Sequence, residues 1–409
     1  MSSTVPQLSI CVPSRNRQAY FQQTIMALTA SLRTDVEFVF VDNSDDPTIM
    51  DVFMAERLSD PRIRYVPSGT TTRSMLDNWQ AAMAAATGRW VSFIGDDDYA
   101  DPDIAGLIAR IEAARPGVEA IDWSKLFYTW PDGDSPPTAQ FVALDDKIRD
   151  VPRQLLYERA FEWRDAKQVL MSGFSIYHGA VSRPLIDRIT ARYGGRFFEF
   201  PVVDYESIFK TIMNARAFVQ VSRPLSVLGV SPLSNSAGLK NLREQERKQE
   251  AFDRELDTPV DQMACFADYP FKSRFGIVAC IGMVHHWFAG RHGSRFSGFE
   301  VNFARSCEAQ CNAITDRDDF DLVTARYRAA FATWRGGRFL KHFRPVFTPA
   351  RAMIPFAGVA EDKLYVTADA RYAPTCVDYY RLVSAALVRI DDLDAGDKVA
   401  APAAERRRA

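Results

Sequence analysis

One stretch, GRWVSFIGDDDYADPD at residues 88–103, decides the fold. Within it WVSFI (90–94) is a short run apolar on both faces, the pattern of a strand buried inside a sheet. It runs straight into three adjacent carboxylates, Asp96, Asp97 and Asp98. Three acids at the end of a buried strand repel one another and are costly without a compensating cation. A divalent ion with hard oxygen ligands, Mg²⁺ or Mn²⁺, is the simplest remedy, and such an ion also bridges a substrate diphosphate. Alternate side chains of an extended segment share a face, which predicts that Asp96 and Asp98 meet the metal and phosphates while Asp97 is directed differently. The competing reading is a solvated acidic loop capping the helix that starts near Pro102, for which Asp101 alone suffices.

Toward the N-terminus, the apolar runs LSICV (8–12), VEFVFV (36–41) and RIRYV (62–66) alternate with segments of helical period at 16–32, 47–58 and 74–86. This βαβα series predicts a parallel sheet covered by helices on both faces, with ligands bound at the carboxyl ends of the strands. The first strand runs into PSRNR (13–17) and the second into DNSDD (42–46), so both loops share an edge with the acid run. Asp42 is suited to accept a hydrogen bond from a base N–H, and Arg15 to pair with phosphate or stack on a base. Ser14, Asn16, Asn43 and Ser44 are each adequately explained as helix caps. Three polar strand ends on one edge favour a ligand site over separate caps.

Toward the C-terminus the pattern predicts a helix over 102–114, a strand over 119–123, a turn-rich WPDGDSPP loop (130–137), a strand over 140–144 and a helix over 151–161. FSIYHGAVS (174–182) precedes helices at 183–193 and 203–215 and two strands, 217–221 and 225–230. The loop GVSPLSNS (229–236) has the composition of a segment that folds over a ligand, or of a plain linker. Beyond about residue 238 helical period dominates with almost no strand signal. The expected organisation is an α/β domain at 1–236, a mostly α-helical C-terminal domain at 237–395 and a disordered tail at 396–409.

Composition narrows the function classes. Of 409 residues 47% are hydrophobic and 25% charged, which is a folding chain. Lys+Arg 50 against Asp+Glu 52 leaves a net charge of −2, so no global electrostatic case for a nucleic-acid partner exists. The six cysteines contain no CxxC pair, against a zinc site or disulfide framework. The polar opening segment is unlike a signal peptide, which predicts a cytoplasmic location. FGIVACIGMVHHWFAG (275–290) is shorter than the ~20 residues a membrane span requires and is interrupted by His285 and His286, which predicts a buried helix. The run 334–356 carries five basic residues, no acids and interleaved aromatics, the pattern of an amphipathic segment resting on an anionic membrane surface or of a helix docked on the core.

LSICVPSRNR, VEFVFVDNSDD and GRWVSFIGDDDYADPD, in this order and spacing, resemble the nucleotide-binding half of inverting GT-A glycosyltransferases of family 2. The likeness covers about the first 100 residues well and continues weakly to about residue 236. It implies a Rossmann-like GT-A fold and transfer of a sugar from a nucleotide-sugar donor to a glycan or lipid-linked glycan acceptor, in surface polysaccharide assembly; a lipid-linked acceptor would favour peripheral contact of the segment 334–356 with the inner membrane face over a docked helix. By the same resemblance Pro13, Ser14, Arg15 and Asp42 fall in nucleotide positions, and Asp96, Asp97 and Asp98 in the DxD-type position for Mn²⁺ or Mg²⁺ and diphosphate. Arg73 and Asn78 fall where such enzymes approach donor sugar or diphosphate. One departure is that Asp42 is followed by Asn43 where the family often has a second acid. Inverting transfer needs one base for the acceptor hydroxyl. The family places it at a helix start in the acceptor half, where FPVVDYESIF supplies Asp204, with Glu206 as the fallback and a helix cap as the other reading of Asp204. His178 is a candidate lining residue of the acceptor pocket or a satisfied buried histidine. The rival functions are a catalytically silent glycan-binding or scaffold protein on the same fold, and a nucleotidyltransferase.

Overall fold

The computed structural model of the chain describes residues 5–131, 138–166, 169–170, 172–234, 242–256, 258–349, 357–368, 371–396 and 399–400. The first third alternates as the sequence predicts: β1 (Leu8–Ser14), α1 (Gln18–Thr29), β2 (Val36–Asp42), α2 (Thr48–Ala55), β3 (Ile63–Val66), α3 (Met75–Ala85) and β4 (Trp90–Phe93). Strands β1, β2 and β4 are buried along their whole length, which the unbroken apolar runs dictate. Helix α3 starts where Ser74 accepts a hydrogen bond from the Asp77 amide, a capping arrangement that satisfies one of the orphan donors of the first turn. A short β5 (Tyr99–Ala100) follows the acid run, then α4 (Ile104–Ala114) and β6 (Ala120–Thr129).

Next come β7 (Thr138–Ala143), β8 (Ile148–Asp150), α5 (Arg153–Phe161), β9 (Gly179–Ser182), α6 (Arg183–Arg192), α7 (Val203–Asn214) and β10 (Phe218–Val230). The remaining elements are α8 (Leu242–Asp253), α9 (Ile277–Arg291), α10 (Glu300–Asn312), α11 (Arg317–Thr333), β11 (Gly358–Ala360), β12 (Lys363–Ala368), α12 (Cys376–Ser384) and β13 (Val399–Ala400). The region after residue 238 is mostly helical, on the α/β core that precedes it.

The main sheet has the order β13-β8-β10-β6-β9-β4-β1-β2-β3, with β5 added against β10. The expected all-parallel sheet is corrected here. Pairs β4·β1, β1·β2, β2·β3 and β6·β10 are parallel, but β9 lies antiparallel between β4 and β6. The two strands expected at 217–221 and 225–230 form one strand, β10, whose register against β6 shifts around Pro224, a residue with no N–H to offer the ladder.

Side chains on the two sheet faces alternate. Cys11, Val39, Val41, Val91 and Phe93 join the core under α3, α5, α6, α7 and α9 to α11. Leu8, Ile10, Val12, Phe38 and Phe40 join a second core under α1, α2, α4 and α12. Helices from the C-terminal region therefore close both faces. Helix α9 takes in residues 277–290 of the apolar run at 275–290, Phe275 ending a short 3₁₀ turn before it, and is largely buried as expected.

Three further expectations change. Strands do occur after residue 238, since β11 and β12 pair with β7 in a three-stranded antiparallel sheet. The basic segment is no amphipathic helix: it is two short 3₁₀ turns, with Phe343 buried and Phe339, Leu340 and Phe347 packed on the core, while residues 350–356 lie outside the described ones. Val399 and Ala400 pair with β8 inside the expected tail, whose residues 397–398 and 401–409 also lie outside the described set. Among the described residues no helix is long and apolar enough to cross a membrane.

Candidate functional site

The loops after β1, β2 and β4 meet at one edge of the parallel part of the sheet. Asp42, the last residue of β2, is fully buried. Its Oδ1 accepts hydrogen bonds from the Ser44 amide (3.1 Å) and the Ser44 hydroxyl (2.6 Å), and its Oδ2 has no hydrogen-bond partner. Burial raises the Asp42 carboxyl above its ordinary value despite the two bonds from Ser44. A buried carboxylate oxygen without a partner is an acceptor available to a ligand N–H or O–H. Beside it, an Arg73 Nη2 donates to the Asp42 carbonyl (3.0 Å), and Asn43 clasps the Arg73 backbone with both ends of its amide (2.8 and 2.9 Å). Asn78 is buried and donates to the Ser14 carbonyl (3.3 Å), leaving its own Oδ1 unpartnered.

The acid run is a turn, with the Asp98 amide donating to the Gly95 carbonyl (3.3 Å), so alternation along an extended strand does not apply. This corrects the pairing of Asp96 with Asp98. Asp96 and Asp97 face one cation, the Arg17 guanidinium, at 3.1 Å (Nη2 to Asp96 Oδ1) and 3.5 Å (Nη1 to Asp97 Oδ1). The second oxygen of Asp96 accepts from the Ser14 hydroxyl (2.6 Å) and that of Asp97 from the Ser231 amide (3.1 Å). Burial raises both carboxyls, against the pull of Arg17. Burial also works against the Arg17 charge, but Asp96 and Asp97 outweigh it and raise the guanidinium above its ordinary value.

Asp98 turns the other way. Its Oδ2 accepts from the Gly95 amide (2.6 Å), the Tyr177 hydroxyl (2.7 Å) and His178 Nε2 (3.0 Å), and its Oδ1 from the Gly229 amide (2.6 Å). Burial alone would raise this carboxyl; His178, Tyr177 and Gly229 reverse that and hold it below the ordinary value. His178 is itself buried, with Nδ1 on the Ser226 hydroxyl (2.8 Å), and burial lowers it, so the neutral ring donates from Nε2. Of the two expected readings of His178, the geometry fits the satisfied buried histidine: both ring nitrogens are taken by protein atoms. The described residues contain no cluster of three or more His, Cys, Asp or Glu arranged to hold a metal. Asp96 and Asp97 supply two facing carboxylate oxygens, and a hard divalent cation that completes its shell with water and substrate phosphate fits that donor set.

Distant elements hold this loop in place. Thr24 of α1 donates to the carbonyls of Asp96 (2.9 Å) and Asp98 (3.0 Å). The Asp97 carbonyl accepts from Trp130 Nε1 (2.8 Å) and from the Cys376 thiol of α12 (3.1 Å). A Cβ at Gly229 would sit 1.8 Å from the Asp97 carbonyl oxygen, so only glycine permits β10 to approach the loop. Gly229→Ala is therefore expected to cost about 3 kcal/mol or more, the upper part of the range for overpacking a tight site. Thermal melting of the variant checks it.

The other expected residues are placed as follows. Pro13 is paired within β1 opposite Val41. Arg15 points to Asp45 (3.2 Å) and to Glu255 just after α8 (2.9 Å), away from the acids. Asp204 is the second residue of α7, whose N-cap position is Val202 without a side-chain cap bond, so Asp204 is not the cap. Its half-buried carboxyl is raised by burial, against the Tyr205 amide and its own. The segment 175–178 runs beside β4 and ties α7 to the acid loop: Ser175 donates to the Asp204 carbonyl (3.2 Å), and two residues on, Tyr177 holds Asp98. Glu206 is fully buried, paired with Lys210 (2.6 Å) and bonded by the amides of Glu199 and Phe200. Arg17 was not among the expected site residues. The need of three buried acids for a cation pointed to it, since PSRNR offers two arginines at the facing strand end. Of the loop 229–236, residues 235–236 lie outside the described set.

Comparison with known proteins gives a family match. Residues 9–178 match the family model for Glycosyl transferase family 2, a span that holds β1 to β4 and the acid loop. A 94-residue stretch is 27% identical to the GalNAc(5)-diNAcBac-PP-undecaprenol beta-1,3-glucosyltransferase of Campylobacter jejuni, covering 23% of this chain and 30% of that one. The match thus spans less than a third of the relative. S. aureus TarS 1-349, crystallised with UDP-GlcNAc, is similar over 82% of this chain and 89% of that one, at 14% identity and a TM-score of 0.43. The mannosyltransferase PcManGT from Pyrobaculum calidifontis, in complex with GDP-Man and Mn²⁺, is similar over 83% and 86%, at 16% identity and a TM-score of 0.36. The matched sequence holds the edge of the mixed sheet and its acid loop: residues 9–178 are similar to glycosyl transferase family 2.

Proposed function

We propose that the chain is an inverting glycosyltransferase that moves a sugar from a nucleoside-diphosphate donor to a hydroxyl of a glycan or lipid-linked glycan, in surface polysaccharide assembly. The observation that carries this reading is the buried, unpartnered Oδ2 of Asp42 on the same sheet edge as Asp96 and Asp97. It offers a hydrogen-bond acceptor for a base or ribose next to a cation-binding pair for a diphosphate. The Campylobacter relative is named for an undecaprenol-linked glycan acceptor, which favours a lipid-linked acceptor here. On this reading residues 1–236 form the transferase unit and 237–395 a helical unit packed on it, working at the cytoplasmic face of a membrane. Arg338, Lys341 and Arg344, exposed beside Val346, are the face that would meet anionic lipid.

Asp96 and Asp97 would hold Mg²⁺ or Mn²⁺. When bound, that ion supplies charge neutralisation for the departing diphosphate. Asp42 fixes the nucleoside, and Asn43, by clasping Arg73, holds a guanidinium at the mouth of the site. Asp204 takes the proton of the acceptor hydroxyl; its raised affinity for protons makes it a stronger base than an ordinary aspartate once ionised.

Asp42→Ala should raise the donor KM by about 10- to 100-fold, the worth of a charge-assisted hydrogen bond, with a much smaller change in kcat because the contact is the same in ground and transition states. Initial-rate kinetics over donor concentration measure it. A loss confined to kcat would remove Asp42 from the nucleoside site.

A further inference from the structure

Arg17 is the last residue before α1, and Asn16, in the left-handed region at φ 56°, turns the chain so that Arg15 and Arg17 face opposite ways. The Asn16 side chain fixes that turn through Asp45, donating to its carboxylate (2.8 Å) and accepting from its amide (2.9 Å). Arg15 is drawn outward, and Arg17 inward onto the acid loop. The outer oxygens of the two acids are committed to Ser14 and Ser231, which leaves one oxygen of each carboxylate to the guanidinium. Asp96 Oδ1 is fully buried and has no hydrogen-bond partner, so the Arg17 charge is what compensates it. Lys248 of α8, the other cation near Arg17 and Asp97, is held by the carbonyls of Pro232 and Ser234.

A divalent cation needs the same two oxygens, and a guanidinium and a metal ion cannot both occupy them. Resting on the reading that this loop holds the metal, we propose that Arg17 is a resident counter-cation that Mn²⁺ or Mg²⁺ must displace, and that the released guanidinium then binds the donor diphosphate. Its planar fork suits two phosphate oxygens, and its backbone position keeps it at that sheet edge. The device keeps the acid loop folded when no donor is present and couples metal entry to the appearance of a free phosphate ligand.

The test is titration of the full-length apoprotein with Mn²⁺, following the free-ion electron paramagnetic resonance signal, for wild type, Arg17→Gln and Asp97→Asn. Arg17→Gln is expected to bind Mn²⁺ at least tenfold more tightly than wild type, while binding UDP and GDP at saturating Mn²⁺ at least tenfold more weakly. Asp97→Asn should bind Mn²⁺ more weakly. Equal or weaker Mn²⁺ binding by Arg17→Gln overturns the proposal, as does Mn²⁺ binding that Asp97→Asn leaves unchanged or that no variant shows. Should Arg17→Gln fail to fold, Arg17→Lys keeps the charge without the fork and should bind Mn²⁺ several-fold more tightly; an unchanged constant overturns the proposal. These readouts contain no sugar transfer, so a failed transferase reading would show separately, as displacement of Arg17 by Mn²⁺ without turnover of any donor.

Discussion

Asp98→Ala should lower the melting temperature by about 10 °C or more and abolish donor binding through loss of the loop itself. The carboxylate is buried and accepts from two backbone amides, a tyrosine hydroxyl and a histidine. Each donor left unsatisfied costs about 1–3 kcal/mol, and a domain has only about 5–15 kcal/mol in total. The sequence alone suggests the opposite, that removing one like charge from a crowded cluster leaves the fold intact. The difference lies in the turn at Gly95, which takes Asp98 out of the cluster and makes it the anchor of segment 175–178 and β10. Asp96→Asn is the contrast: it keeps a hydrogen-bonding side chain beside Ser14, so it should melt within a few degrees of wild type yet lose metal-dependent donor binding. Calorimetry of both variants with and without Mn²⁺ and nucleoside diphosphate separates anchor from ligand.

Asp204→Asn should reduce the transfer rate by about 10²- to 10⁴-fold, the usual contribution of a general base, while donor binding and folding persist. Asp204 lies inside the first turn of α7, where its carboxyl meets its own amide and that of Tyr205, and an Asn side-chain oxygen still accepts from them. Slow donor hydrolysis, which does not deprotonate an acceptor, should fall less. The pH profile gives a second readout. The base must be ionised to act, and burial raises its pKa, so the acid limb of kcat lies above the ordinary aspartate range, and activity is lost as pH falls through that limb. Asp204→Asn should flatten the limb. Glu206 is no substitute, since both of its oxygens are engaged in the core by backbone amides and Lys210. An Asn variant with near wild-type transfer would therefore require a base from outside the first turn of α7.

The polar edge of the sheet was legible because strands buried on both faces write unbroken apolar runs, and the polar residue after each run must lie at the sheet edge. Asp42, Asp96 and Asp97 follow from that rule. Orientation within the acid run did not, because Gly95 begins a turn that strand periodicity cannot anticipate. Arg17 was missed since a metal ion and an arginine satisfy the same electrostatic demand, and spacing alone does not choose between them. Strand β9 reads as an apolar run whichever way it is laid, so its antiparallel entry left no mark in the sequence. The grip of Cys376 on the Asp97 carbonyl joins residues 279 apart in the chain, and no local pattern encodes it. The aromatics of 334–349 show the same limit: a basic aromatic run reads equally as a membrane face or a docked segment, and only the packing of Phe343 and its neighbours against the core decides where its apolar groups go.

The most direct test of the account is to incubate the protein with Mn²⁺, UDP- and GDP-sugars and a set of lipid-linked glycan acceptors, following phosphorus species by ³¹P NMR and the new anomeric centre by ¹H NMR. The account predicts release of nucleoside diphosphate from one donor and a product of inverted anomeric configuration, both lost in Asp204→Asn. Release of pyrophosphate, a retained configuration, or no turnover of any donor by a protein that binds nucleoside diphosphate would contradict it.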